Sequence, residues 1–265
     1  MPQRLISALI AAPIAIFIII QGGLWLRLAL LLIALRGLYE LFRAVSGKRV
    51  PHPIHFAAYI FTPVHFFVII DNGQEMQLMA IAAFLLITIA LTVINYQKSD
   101  LQDCLVTIGG FFYIPFLLSF LYLVRDHSVY FVWLIFVCSS ASDTFAYIIG
   151  KKFGRHKLVN SPSPGKTWEG CIGGVAGAAI VGFIYGYVVH RFTGIDHPMV
   201  LNATAVSAIG AVFSQFGDLF ASAIKRWVGI KDFGRIMPGH GGIVDRLDSI
   251  VVTAPVVYMV MIWML

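Results

Sequence analysis

The sequence predicts an all-α, polytopic membrane protein with about nine transmembrane helices. Three observations carry this expectation. Of 265 residues, 59% are hydrophobic and 12% are charged, whereas a soluble domain typically carries about 25% charged residues. Mean hydropathy is +0.85. The apolar residues also fall in runs of about 17–25, the length a helix needs to cross some 30 Å of hydrocarbon. The runs are continuous rather than alternating, which argues against a β-barrel. In lipid the backbone must then satisfy its own hydrogen bonds within helices.

Nine segments follow in order: 5–21, 24–45, 54–70, 76–95, 104–124, 129–150, 168–190, 199–227 and 246–265. The first follows Arg4 and resembles a signal peptide. Gln21-Gly22-Gly23 comes after it without a small-x-small cleavage site, so an uncleaved span is expected. The third is interrupted by Pro53, His55, Pro63 and His65. Pro13, Pro63 and Pro115 fall inside spans, where a missing N–H and a ring clash kink a helix. The eighth run is the longest and should tilt or project beyond the bilayer. No linker or repeat divides the chain. It reads as one membrane domain, 1–265, with 1–138 available for a lipid cleft or dimer contact and 139–265 carrying the chemistry.

The connectors set the orientation. Basic residues gather after the second span (Arg43, Lys48, Arg49), after the sixth (Lys151, Lys152, Arg155, Lys157, Lys166) and after the eighth (Lys225, Arg226, Lys231, Arg235). Sixteen of the nineteen Lys and Arg fall on this side. The positive-inside rule makes it cytoplasmic, with the N-terminus inside and the C-terminus external. The net charge of +6 therefore marks topology, not nucleic-acid binding. Cys104, Cys138 and Cys171 have no paired spacing for a disulfide or zinc site and read as buried thiols.

The densest run of charge and glycine lies between the last two spans: Ser222, Lys225, Arg226, Lys231, Asp232, Pro238, Gly239, His240, Gly241, Gly242, Asp245, Arg246 and Asp248. Charged residues beside apolar spans mark a functional site by default. Carboxylates suit a hard metal ion, Lys and Arg suit phosphate oxygens, and glycines permit close backbone approach. Asp218, Ser222 and Lys225 lie at i, i+4 and i+7 on one helical face. Asp218 should sit about 10 Å below Lys225 at 1.5 Å per residue. Asp245 and Asp248, at i and i+3, can face one site at the start of the ninth span, so Asp218 and Asp245 read as a metal pair from two helices. The Gly239–Gly242 stretch runs into that helix, where free N–H groups and the dipole would favour a triphosphate. His240 is a candidate phosphate donor, a base or a turn residue. Arg246 is a candidate phosphate ligand or a lock on Asp232.

This pattern of Ser, Lys-Arg, Lys-Asp, Pro-x-His-Gly-Gly and Asp-Arg-x-Asp closely resembles the signature of the phosphatidate cytidylyltransferases, also called CDP-diacylglycerol synthases. Met237 stands where an aliphatic residue or Phe is usual. Earlier in the chain Asp143, Tyr147 and Gly150, followed by Ser163-Pro-Gly-Lys166-Thr167, are similar to a second stretch of that family. Asp143 should lie about 12 Å inward of Lys151. Lys166 and Thr167 are candidate phosphate contacts, though not in a Walker A loop, since Asn160 stands where that motif needs Gly. Gly173 and Gly177 read as a helix-packing face.

The resemblance implies an enzyme making CDP-diacylglycerol from CTP and phosphatidic acid, with pyrophosphate released, in the cytoplasmic cell membrane. It implies a metal on Asp218 and Asp245, for which magnesium, alone or with a second cation, is expected, and the spacing adds Asp248 as a candidate ligand. It also implies a homodimer. Asp218, Asp245, Lys225, Arg226 and His240 would be catalytic. Ser222, Lys231, Asp232, Gly239, Gly241, Gly242, Arg246, Asp143, Lys166 and Thr167 would bind substrate. One alternative is a related cytidylyltransferase acting on another lipid phosphate. A second is an ion-coupled transporter, which would consume no CTP.

Overall fold

The computed structural model describes residues 2–46, 54–158, 162–194, 199–234 and 241–264, with side chains from residue 12 onward. Among these the chain is helical throughout. Its helices are α1 (Pro2–Gln21), α2 (Gly23–Ser46), α3 (His55–Val64), α4 (Gln74–Ile94), α5 (Leu101–Phe111), α6 (Leu117–His127), α7 (Val129–Phe153), α8 (Trp168–Thr193), α9 (Met199–Trp227) and α10 (Val244–Met264). The described residues contain no strand, only an isolated bridge between Lys157 and Thr167.

Six stretches are long and apolar enough to cross a membrane: α4, the joined α5–α6 from Leu101 to His127, α7, α8, α9 and α10. The chain is thus a multi-pass membrane protein. The three other expected spans correspond to α1, to α2 and to α3 with its continuation. α2 has 24 residues but carries Arg27, Arg36, Glu40 and Arg43. The His55–Ile69 stretch is shorter than a spanning helix.

The chain forms two compact units that interleave in sequence. One comprises Met1–Tyr122 and Ile230–Asp245, the other Leu123–Gly229 and Arg246–Leu265. The first is built on Leu38, Phe42, Phe84 and Phe111, all essentially fully buried. The Phe84 and Phe111 rings lie 4.5 Å apart, a separation at which offset aromatic pairs attract beyond their burial. Two of the expected proline kinks resolve as π-helical turns. Pro63 lies in α3 two residues before one at His65–Ile69, and Pro115 lies inside another at Phe112–Phe116. A proline that cannot donate to the i−4 carbonyl makes a wider turn the local solution. The two histidines of this region are satisfied core groups. His55 lies between Ser46 Oγ at 3.0 Å and Thr107 Oγ1 at 2.8 Å, and His65 meets Ser119 Oγ at 3.0 Å.

The second unit is organised by small residues on α8. A Cβ added at Gly173 would run into Ile149, and one at Gly177 into the Phe145 ring, both on α7. At Gly182 and Gly186 it would meet Ser207 and the Met199–Ala203 backbone of α9. Helices in lipid associate through such close packing, since lipid tails compete equally for apolar surface. The expected packing face at Gly173 and Gly177 is therefore present, and it continues on the opposite side toward α9.

Candidate active site

The second unit gathers the sixth- and eighth-span acids around one lysine. The connector between α7 and α8 folds back on itself. Leu158 N donates to Lys166 O at 2.9 Å, and Trp168 N donates to His156 O at 3.0 Å. The His156 ring and backbone N both meet the Glu169 carboxylate, at 2.6 and 3.2 Å. Thr167 caps α8 by accepting from Gly170 N at 3.1 Å, the usual way for a helix start to satisfy an orphan donor. A hydroxyl accepting through a lone pair retains a proton to donate.

This connector delivers Lys166 to Asp218. Its Nζ lies 2.7 Å from Asp218 Oδ2 and 3.4 Å from Gln215 O. Asp143 interacts electrostatically with both Asp218 and Lys166. Asp248 does so with Asp218, Lys225 and Asp143. Three carboxylates and two lysines, from α7, α9, α10 and the connector before α8, thus share one electrostatic neighbourhood. A cleft of about 400 Å³ opens there, lined by Asp143, Tyr147, Lys166, Thr167 and Gln215 among others. Asp218, Ser222 and Lys225 all lie on α9, as their spacing requires. Arg226 is exposed and its Nε donates to Pro162 O at 3.4 Å.

Gln215 was not legible as a site residue. Its Nε2 donates to Ser142 Oγ on α7 and to Cys171 O on α8, each at 3.0 Å. One buried amide on α9 thereby ties three helices together beneath the cleft. Its place three residues before Asp218, on the same face, was the available signal.

The first unit holds the stretch before α10. Asp245 Oδ2 accepts from Phe233 N at 2.8 Å and from Gly242 N at 2.9 Å. Val244 N donates to Glu40 Oε2 at 3.1 Å. Two N–H groups of the loop and the helix start that follows it are thus bonded within the chain. Gly242 and Val244 are buried, and buried N–H groups demand partners, so carboxylates of the chain itself take them. Gly241 adopts φ +84° above Asp245, a backbone state that favours glycine. Lys231, Asp232 and Arg246 are exposed. Gly239 and His240 lie outside the described residues.

Among the described residues no three His, Cys, Asp or Glu side chains converge tightly enough to cage an ion by themselves. Magnesium, however, is commonly bound by one or two carboxylates with waters and substrate phosphates. The acid cluster around Asp218 suits that mode rather than a closed protein cage.

The chain's relatives agree along its length. A phosphatidate cytidylyltransferase of Staphylococcus haemolyticus is 32% identical over 270 aligned positions that cover 100% of both chains. One from Staphylococcus aureus is 33% identical, with 99% of each chain covered. One from Staphylococcus epidermidis is 32% identical over 267 positions, again covering 99% of each. The model of the cytidylyltransferase family matches residues 2–264. With a family match over residues 2–264 and likeness to these enzymes extending end to end, the chain belongs to the cytidylyltransferase family.

Proposed function

We infer that this protein is a phosphatidate cytidylyltransferase, joining CTP to phosphatidic acid to give CDP-diacylglycerol and pyrophosphate. The observation that carries the reading is the Lys166–Asp218 pair, set among Asp143, Asp248 and Lys225 in a chain related over its full length to enzymes of that name. In the reaction a phosphate oxygen of the lipid attacks the α-phosphorus of CTP. A bond forms between them, the bond to the bridging oxygen breaks, and pyrophosphate departs with its electrons. A phosphate monoester carries about −1.5 to −2 charge at neutral pH, so no strong base is needed to activate it. The barrier lies in bringing two anions together. Lys166, Lys225 and Arg226 offset that repulsion and orient the phosphates. Magnesium, bound when the substrates are present, would neutralise charge on the phosphate oxygens as they react. The residues proposed to hold it are Asp218 and Asp248, with Asp245 on the same turn of α10 as Asp248.

The lipid has a route to this cleft. An apolar groove of about 590 Å³ runs between α8 and α9 and shares Cys171 and Gln215 with the cleft. Its α8 side extends from Trp168 to Ala179, about 16 Å at 1.5 Å per residue, close to half of a 30 Å hydrocarbon core. One leaflet's acyl tail fits that depth. We place the cleft on the cytoplasmic side of the cell membrane, with the N-terminus inside, from the distribution of Lys and Arg. We propose a homodimer as the assembled form.

The test is pyrophosphate release by the purified protein from CTP, with and without phosphatidic acid and magnesium, with the lipid product identified by mass. Release that requires both additions, with CDP-diacylglycerol formed, is expected. Intact CTP in the presence of both would overturn the reading.

A further inference from the structure

We propose that Glu40, an acidic residue within α2, is a positioning residue for the reaction, holding the segment before α10 so that Asp245 is correctly presented. The inference rests on the reading of Asp245 as part of the reacting site. Glu40 is 1% exposed, and Arg36 Nε on the same helix lies 3.4 Å from its Oε1. Burying a carboxylate is costly unless it is paired and hydrogen-bonded. Here the carboxylate reaches 204 positions along the chain to accept from Val244 N at the start of α10.

The surrounding backbone is shaped around that carboxylate. A Cβ built on Gly234 would lie 2.5 Å from Glu40 Oε1, and one on Gly242 would lie 2.7 Å from Glu40 Cδ. Both glycines are therefore required by the approach of Glu40. The same two stretches of backbone are joined from the other side by Asp245, whose Oδ2 accepts from Phe233 N and Gly242 N. Phe233 adjoins Gly234, and Gly242 is common to both contacts. Two carboxylates thus grip one fold of backbone, Glu40 from α2 and Asp245 from α10. Shifting Glu40 moves the amides that fix the Asp245 side chain. An acid in the first hundred residues acquires in this way a function through a residue two hundred positions later.

The experiment compares Glu40→Ala, Glu40→Gln and Gly242→Ala in full-length enzyme, with kcat, KM for CTP and Tm measured on protein shown to be inserted and folded. Gln keeps a side-chain oxygen that can accept from Val244 N, and Ala does not. Glu40→Ala is expected to lower kcat about tenfold or more with KM for CTP within about threefold, and Glu40→Gln to restore kcat to within about threefold of wild type. A purely structural role would lower Tm and yield while leaving kcat per folded molecule unchanged. Wild-type kcat in folded Glu40→Ala, or a loss in Glu40→Gln as large as in Glu40→Ala, overturns the proposal. Should Glu40→Ala fail to fold, Gly242→Ala reads the same contact from the loop side. A tenfold lower kcat in that folded variant supports the role, and wild-type kcat refutes it. An inactive wild type would instead refute the function itself, so the two failures are distinguishable.

Discussion

Replacing Lys166 by Met tests the centre of the site. Met preserves most of the apolar stem and removes the ammonium. Two groups then lose a partner. Asp218 loses the charge 2.7 Å from its Oδ2, and Asp143 loses its attraction to the same ammonium. The pair is partly solvated, with side chains 21% and 32% exposed, so its contribution to folding is modest, about 1 kcal/mol or less as for other solvated pairs. The substrate-bound state has more at stake. A charge-assisted contact to phosphate is worth about 1.5–3 kcal/mol, which corresponds to about a ten- to hundredfold change in kcat/KM. The assay is steady-state CDP-diacylglycerol synthesis in mixed micelles at fixed magnesium, with CTP varied, alongside a thermal melt of the same preparation. Lys166→Met should lose about ten- to hundredfold in kcat/KM for CTP while Tm moves by only a few degrees. Folded Lys166→Met with kcat/KM within about threefold of wild type would show that the lysine serves only to neutralise Asp218, and the phosphate role would be withdrawn.

Further outcomes follow from the same geometry. Asp218→Asn and Asp245→Asn should each abolish synthesis in folded protein, whereas Asp245→Ala should also lower Tm, because the Phe233 and Gly242 amides lose their acceptor at about 1–3 kcal/mol for each buried group left unsatisfied; equal Tm for the Asn and Ala variants would contradict the clamp. Gly177→Val should destabilise the second unit by about 1–3 kcal/mol through overpacking against Phe145, and an unchanged melt would show that α7 and α8 can separate freely. In a background lacking the three native cysteines, a single cysteine at position 156 should resist an impermeant thiol reagent applied to intact cells, and one at position 192 should react; the reverse pattern would invert the orientation.

Much of the fold was legible because lipid leaves few alternatives. Runs of apolar residues of spanning length become helices, and α4 through α10 lie close to where the runs place them. Asp218, Ser222 and Lys225 share a face because helical spacing dictates it. What spacing along one helix cannot give is the helix opposite. Lys166 meets Asp218 across 52 positions through a connector whose pairing depends on Leu158, Thr167 and the His156–Glu169 contact. Glu40 stayed invisible for the same reason, although a lone acid inside an apolar run was signal enough to mark it. At Gly234 and Gly242 the group in close approach is the Glu40 carboxylate, which spacing along the sequence could not indicate.

The acids of the first unit and those of the second are of two kinds, and the difference has a physical cause. Asp245 and Glu40 commit an oxygen to buried amides, which fixes backbone. Asp218 instead faces a lysine that is partly solvated and borne on a connector rather than in a helix interior. An ammonium is a compact charge on a flexible stem, so it can exchange one oxygen partner for another at small conformational cost. Asp143, Asp218 and Asp248 with Lys166 and Lys225 sum to a formal charge of −1 when all are ionised. A triphosphate alone would be repelled by that sum, but a triphosphate arriving with a divalent cation would not. A cation held by these carboxylates would supply positive charge there and leave the lysines available to phosphate. On this account the acids make CTP binding conditional on the cation, and CTP affinity should collapse with magnesium removed in the wild type but respond far less to magnesium in Asp218→Asn. Titration of CTP binding by calorimetry at two magnesium concentrations measures this, and an equal magnesium dependence in both proteins would refute it.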